Sequence, residues 1–178
     1  MFFVDINNTR FVLFLGKHMR ERNKAVPAVY LFLELGGRWL FALRKNTGYQ
    51  DGNWNVPSGH VEKGELPTRA MIREAEEEIG ICVLGENLEL VHVSFRPKHD
   101  ETGSRADYFF ATRVWIGDVR NTEPDKCAKL EWFSPDSLPP NITPHVRHAF
   151  ECMLKQKGIS YSELGERFLK SNGVWMLD

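Results

Sequence analysis

The chain has 178 residues, of which 42% are hydrophobic and 26% are charged, and its formal net charge is -1. These values suit one globular domain with a sizeable core, and they exclude a disordered chain or one with a strongly basic field for nucleic acid. No run approaches the roughly 20 apolar residues that cross a bilayer. The apolar piece 11–15 is too short for a signal peptide, and acidic and amide residues precede it.

The three cysteines are Cys82, Cys127 and Cys152, an odd number without the spacing of metal ligands. This pattern favours reduced thiols in a cytoplasmic protein over a disulfide framework. We therefore expect a cytoplasmic protein with a small-molecule ligand, no membrane partner and no strong nucleic-acid signal. The sequence leaves a monomer and a homodimer open.

The chain divides into three parts. Residues 1–24 end in a charged segment with few apolar residues, and they form either an N-terminal extension that is flexible or non-native upstream of Met19, or an extra edge strand. Residues 25–156 are expected to form the domain. Residues 157–178 are expected to form a tail or a short helix at Ser162–Lys170.

Regular patterning starts at Pro27 and predicts strands first. The β-rich run 28–35, a turn at Gly36-Gly37 and the run 39–43 predict a hairpin. Further strands are predicted at 54–56, 88–95, 106–114 and 129–133, with a charged loop at 96–105. Helical patterns cover 66–79 and about 141–155, the first with Pro67 at its start and Gly80 after its end. This order predicts an α+β fold with a mixed sheet between helices.

The first predicted helix carries the most informative pattern in the chain. At about 100° per residue its apolar side chains share one face, while Glu74, Glu77 and Glu78 gather on another. Carboxylates at these spacings repel one another, and Arg69 and Arg73 are the only cations in the predicted helix. A divalent cation such as Mg²⁺ would neutralise the patch, because it takes oxygen ligands. The alternative is a solvated acidic face.

The run is not isolated, since Gly59 is followed after five residues by Glu65, and seven residues later by Arg73-Glu74-Ala75-Glu76-Glu77-Glu78-Ile79-Gly80-Ile81. This pattern resembles the signature of the Nudix hydrolase family across 23 residues. The preceding segment, 54–62, also resembles the strand and loop that lead into that box, with Ser58 where many members have glycine. The resemblance covers about residues 27–150.

The resemblance implies an α/β/α sandwich with a mixed sheet and a site for Mg²⁺, or Mn²⁺ as a substitute. It implies that Glu74, Glu77, Glu78 and the carbonyl of Gly59 are metal ligands. It also implies that Arg73 and Glu65 orient these carboxylates, and it makes Glu74 the first choice of general base. Since the family varies on this point, an acid from a distant loop could serve instead, and the alternatives are Asp100, Glu101, Glu123 and Asp125.

Several residues could select the substrate. Arg44 and Lys45 could bind a terminal phosphate, or they could be ordinary charges at the end of a strand. His60 could contact substrate or make a local structural hydrogen bond. Aromatic residues on strands could stack on a base or belong to the core, and these are Trp54, Phe95, Tyr108 and Phe110. Pro97 resembles a marker of the ADP-ribose-cleaving subgroup.

We therefore expect an enzyme that hydrolyses a pyrophosphate bond in a nucleoside diphosphate linked to another group. A nucleoside triphosphate is slightly preferred over a nucleotide sugar such as ADP-ribose. One alternative is an isopentenyl diphosphate isomerase, which would want a cysteine near the metal. Cys82 is expected on a buried strand and the other two cysteines lie far downstream, so this alternative is weak. The other is a non-catalytic nucleotide-binding module, which would be free to lose glutamates that this chain keeps.

Overall fold

The computed structural model describes the backbone of residues 2–6, 9–13, 22–100 and 103–165, and the side chains of 22–97 and 103–165. The two helices in these residues are α1 Pro67–Ile79 and α2 Pro144–Lys155. The strands are β1 Phe2–Ile6, β2 Thr9–Leu13, β3 Ala25–Leu35, β4 Arg38–Arg44, β5 Trp54–Asn55, β6 Ser58–His60, β7 Glu89–Asp100, β8 Gly103–Thr112, β9 Cys127–Phe133 and β10 Ser160–Glu163. Short 3-10 turns cover Gly85–Asn87 and Pro135–Ser137.

Eight of the described strands form one mixed sheet in the order β10-β7-β8-β3-β4-β5. Strand β6 also pairs with β3, and β9 pairs with β4. The pairs β3–β8 and β7–β10 are parallel, whereas the other pairs in this sheet are antiparallel. The predicted mixed sheet is therefore confirmed, with the long strand β3 at its centre.

The sheet lies between the two helices, and strand β3 shows this most clearly. Its side chains alternate, because successive residues of a strand point to opposite faces. Tyr30 and Phe32 pack with Phe150 of α2, while Leu31 and Leu33 pack in a second cluster with α1. The apolar face of α1 in that cluster consists of Ala70, Met71, Ala75 and Ile79. The predicted α/β/α sandwich is confirmed.

Two predicted strands are longer than their patterns suggested. Within the segment predicted as a charged loop, 96–105, residues 96–100 instead continue β7 and residues 103–105 belong to β8, and Arg96 pairs opposite Arg105. Both arginine residues are buried. The prediction was wrong here because it treated charge as a sign of a loop, whereas a buried strand can carry a charge when a partner lies across the ladder.

The ends of the chain also differ from the prediction. Strands β1 and β2 pair antiparallel in a two-stranded sheet separate from the eight-stranded one, while the role of residues 1–24 as an extension stays a prediction. The predicted helix at Ser162–Lys170 is wrong at its start, since Ser162 and Glu163 lie in β10, parallel to β7. Residues 166–170 lie outside the described residues. In the described part of the chain, none of the helices has the length and apolar character to span a membrane.

Candidate active site

Helix α1 and strand β6 together position the acidic box. Pro67 opens the helix without a side-chain cap from Leu66, and Gly80 ends it in the left-handed conformation, with φ of 70°. Glycine adopts that conformation without steric cost. Because the opposite face of α1 packs on the sheet, Glu74, Glu77 and Glu78 face a common cavity.

Arg73 is the centre of an ion-pair network at this site. Its guanidinium donates two hydrogen bonds to Glu65, from Nε to Oε1 and from Nη2 to Oε2, each of 3.1 Å. Its Nη1 donates to Glu74 at 2.7 Å and to Glu77 at 3.1 Å, and its Nη2 also donates to the carbonyl of His60. The bond from Arg73 holds the pKa of Glu65 below its ordinary value. Such a paired guanidinium fixes the geometry of its carboxylate partners.

Gly59 lies against the Glu74 carboxylate. A Cβ atom at position 59 would stand 1.9 Å from Oε1 of Glu74, which is far inside any real contact distance. Any side chain at position 59 would therefore displace the Glu74 carboxylate from its place beside β6. The half-buried position of Glu74 raises its pKa, although the bond from Arg73 opposes that rise.

Glu78 is the most desolvated of the box carboxylates. Its Oε2 accepts a hydrogen bond of 2.8 Å from the backbone N–H of Ser58. Burial, together with the nearby charges of Glu74 and Glu123, raises the pKa of Glu78 to about 8. Like-charged, desolvated carboxylates of this kind are costly unless a proton or a cation neutralises them.

The box opens into a cavity of about 610 Å³ that extends over the sheet. One part is lined by acidic side chains, which are Glu62, Glu74, Glu77, Glu78 and Glu123. Basic side chains also line it, namely Arg44, Arg73, Arg96, Arg105 and Lys126. The aromatic and imidazole side chains that line the cavity are those of Tyr30, Tyr49, His60 and His145. Such a volume and such convergent polar groups are typical of a small-molecule site.

The donor set of this cavity suits a hard divalent cation. The carboxylates of Glu74, Glu77 and Glu78 line it, and Mg²⁺ and Mn²⁺ prefer oxygen ligands. As the side chains stand, no three acidic, histidine or cysteine groups in the described part of the chain are arranged to hold a metal. Instead, one oxygen of Glu74 and one of Glu77 each accept a hydrogen bond from the Arg73 guanidinium.

The cations predicted to bind phosphate have different positions. Arg44 lines the cavity, but its Nε donates to the carbonyl of Tyr49 at 2.9 Å and its Nη2 donates to Thr47 at 3.0 Å. Lys45 is not among the residues that line the cavity, and its backbone N–H donates to the carbonyl of Lys126. Arg44 therefore anchors the loop that follows β4. His60 is exposed at the cavity wall.

The predicted stacking aromatic residues do not line the cavity. Trp54 is buried in the α2-side core, with its ring centroid 5.0 Å from that of Phe133. Tyr108 and Phe110 pack in the α1-side core, and Phe95 lies half-buried on β7. For Trp54, Tyr108 and Phe110, the structure supports the core interpretation. Pro97 is likewise absent from the cavity wall.

The sequence analysis missed a buried polar network at the cavity floor. Arg96 donates from Nε and Nη2 to the two oxygens of Asp107, at 2.6 and 2.9 Å. Ser94 and Tyr30 also donate to this carboxylate, and His145 lies 3.2 Å from the hydroxyl of Tyr30. A usable signal was present, because polar residues at 94, 96, 105 and 107 recur with the period of a strand.

The alternative bases and the cysteines are also placed. Glu123 lines the cavity, whereas Asp125 does not, and the side chains of residues 100 and 101 lie outside the described residues. Cys82 is exposed and not on a buried strand as predicted, since it makes only an isolated bridge with Ile116. Cys127 lines the cavity, and its burial raises the pKa of its thiol.

Comparison with known proteins agrees with this architecture. A family model described as the NUDIX domain matches residues 22–153. An RNA pyrophosphohydrolase of Erythrobacter litoralis is 26% identical over 133 residues, which cover 66% of this chain and 80% of that protein. An 8-oxo-dGTP diphosphatase of Proteus vulgaris is 28% identical over 105 residues, which cover 57% of this chain and 87% of that protein.

Solved structures share the same fold. A MutT NUDIX hydrolase from Burkholderia pseudomallei superposes with a TM-score of 0.66 at 29% identity, covering 72% of this chain and 97% of that one. The family match spans most of the chain and contains the acidic box, helix α1, strands β3 to β9 and most of helix α2. The chain therefore belongs to the Nudix hydrolase family of pyrophosphohydrolases that its signature predicted.

Proposed function

We propose that this protein is a metal-dependent hydrolase of a pyrophosphate bond in a nucleoside diphosphate linked to another group. A nucleoside triphosphate is the preferred substrate class, followed by a nucleotide sugar such as ADP-ribose. The observation that carries the proposal is the meeting of Glu74, Glu77 and Glu78 with Arg73 and Gly59 in one cavity. The activities named for relatives fit this range, since they concern RNA, 8-oxo-dGTP, ADP-ribose and CTP.

The residues proposed to hold the metal, Mg²⁺ or Mn²⁺, are Glu74, Glu77, Glu78 and the carbonyl of Gly59. When bound, the cation would offset charge on the phosphate oxygens and make a water molecule more acidic. Metal binding would require Arg73 to release at least part of its contact with Glu74 and Glu77, while its paired bonds to Glu65 hold it in place. Support of this kind keeps ligands in position.

Glu74 is the proposed general base, because its half-buried carboxylate lines the cavity directly beside Gly59. Glu123 is the alternative, since its side chain lines the same cavity. A cytoplasmic location is proposed as well, and the three free cysteines support it. A homodimer also remains a proposal.

The test is a screen for nucleotide and phosphate release in Mg²⁺ and in Mn²⁺. Its substrates are triphosphates, nucleotide sugars, dinucleoside polyphosphates and RNA with a 5′-triphosphate or a cap. We expect turnover of at least one class, an increase toward alkaline pH, and loss of turnover in excess EDTA. Full turnover in EDTA would remove the metal from the proposal. An isomerase would instead interconvert isopentenyl diphosphate without releasing phosphate, and Cys127 in the cavity wall makes that control worthwhile.

A further inference from the structure

The loop between β4 and β5 presents one aromatic side chain to the cavity. Tyr49 is 36% exposed and lines the cavity wall. The residues on either side of it, Gly48 and Gln50, both have positive φ, of 77° and 53°. A positive φ is costly for a residue with a side chain and persists only where the surroundings enforce it. Gly48 adopts this conformation without cost, so the strain lies at Gln50, directly after the tyrosine.

Several contacts enforce this loop conformation. Asp51 accepts hydrogen bonds from the backbone N–H groups of Thr47 and Gly48 and from the Thr47 hydroxyl. The Thr47 hydroxyl oxygen also lies 2.9 Å from the carbonyl oxygen of Tyr49, and Nε of Arg44 donates a hydrogen bond to that carbonyl. The loop is thus tied to the end of β4 and to itself, so that its aromatic side chain is held in a defined position before any ligand binds.

The ring itself is held from two directions. The guanidinium carbon of Arg44 lies 5.7 Å from the ring centroid, over one face of Tyr49. At the other end, Arg96 donates a hydrogen bond to the phenol oxygen, and Arg96 is anchored by its bidentate pair with Asp107. A ring fixed in this way loses little conformational entropy when a second planar group stacks on it.

We propose that Tyr49 is the stacking platform for the planar base of the substrate, and so selects substrates with an aromatic group on one side of the pyrophosphate. The kinetic test of this proposal rests on the proposed pyrophosphohydrolase function. An aromatic face tolerates every base, because each base has a π-face. The platform therefore favours nucleotides as a class and discriminates weakly among bases. Of the strand aromatic residues first considered for this role, Trp54, Tyr108 and Phe110 lie in the core, and Phe95 does not line the cavity.

The experiment compares Tyr49→Ala, Tyr49→Phe and Tyr49→Trp with the full-length wild type. The substrates are nucleoside triphosphates, which carry a base, and inorganic tripolyphosphate, which does not. Tyr49→Ala should raise KM for triphosphates about tenfold and leave KM for tripolyphosphate unchanged. Tyr49→Phe and Tyr49→Trp should retain most of the affinity, because both keep a ring. The matched control is Tyr161→Ala, since Tyr161 is an exposed tyrosine on β10 that does not line the cavity.

A second measurement separates this proposal from the proposed function. Calorimetric titration with AMP and GMP in EDTA measures base recognition without turnover, and Tyr49→Ala should weaken binding about tenfold. Should no substrate be hydrolysed, the titration still decides the role of Tyr49. The stacking role is overturned if Tyr49→Ala binds the monophosphates like wild type, if it changes KM equally for tripolyphosphate, or if Tyr49→Phe is as defective as Tyr49→Ala.

Discussion

Replacing Glu78 by glutamine should separate catalysis from stability at one residue. The carboxylate has an ordinary pKa of 4.5, and its surroundings raise the pKa to about 8. Between these two pH values the folded protein holds a proton that the unfolded chain has released. Stability therefore falls as pH rises from about 4.5 to about 8, and the loss is complete above that range.

The magnitude follows from the same values. A pKa difference of one corresponds to about 1.4 kcal/mol, so the full destabilisation above pH 8 is at most about 5 kcal/mol. Glu78 keeps some solvent exposure, so we expect roughly 2 kcal/mol. The amide oxygen of glutamine can still accept the bond from the Ser58 N–H, so the substitution should remove the penalty without losing that contact.

Urea denaturation in EDTA at pH 5, 6.5 and 8 measures this effect. We expect Glu78→Gln to be more stable than wild type at pH 8, with the gain shrinking toward pH 5, while turnover in Mg²⁺ falls at least about 100-fold. Glu77→Gln is the matched control, because its side chain is 55% exposed and should show no comparable pH-dependent gain. If Glu78→Gln were less stable than wild type at pH 8 and kept its turnover, the residue would be a structural partner, not a metal ligand.

Three further predictions test other parts of the site and fold. Gly59→Ala should fold normally, because the new Cβ displaces only the far end of the Glu74 side chain. It should nevertheless lose most activity, because that carboxylate moves. Thermal melting and turnover, measured on the same variant, check the two expectations. Asp107→Asn should destabilise the protein by about 3 kcal/mol in urea denaturation, because Arg96 stays buried without its carboxylate partner. A change in stability within experimental error would refute the structural role of this ion pair. Deleting residues 1–18 should leave an active enzyme with an unchanged melting temperature, because the eight-stranded sheet begins at β3. If the shortened protein were insoluble, this segment would have to pack on the domain.

The fold and the acidic box could be predicted because both depend on local patterns. Strand β3 reads as an unbroken β-rich run, and α1 has an apolar stripe that ends at a glycine. The positions of Glu74 and Glu78 follow from helical spacing alone, which needs no knowledge of distant residues. By contrast, β6 and β10 are too short to show a period, and only their pairing with β3 and β7 defines them as strands.

The rest of the cavity is built from contacts that are distant in sequence. Tyr30 and His145 are 115 residues apart, so no local window contains this pair, and Arg96 and Asp107, 11 residues apart, meet only because β7 and β8 pair. A charged residue within a strand pattern could mark the end of the strand or a buried pair. The two cases differ only in what lies across the ladder, which is why the segment 96–105 was predicted as a loop.

The aromatic residues show the same limit in a form that bears on specificity. Trp54 is on a strand and packs in the core, whereas Tyr49 is in a polar loop and lines the cavity. Aromatic residues on the strands pack in the core, because helices cover both faces of the sheet in this sandwich. A loop aromatic residue has no such partner, so it stays near the ligand only if other contacts hold it there. For Tyr49 those contacts are Arg44 and Arg96, whose positions depend on β4 and on the β7–β8 hairpin. In this protein, substrate selection is therefore expected to depend on the loop after β4, and not on the acidic box on α1.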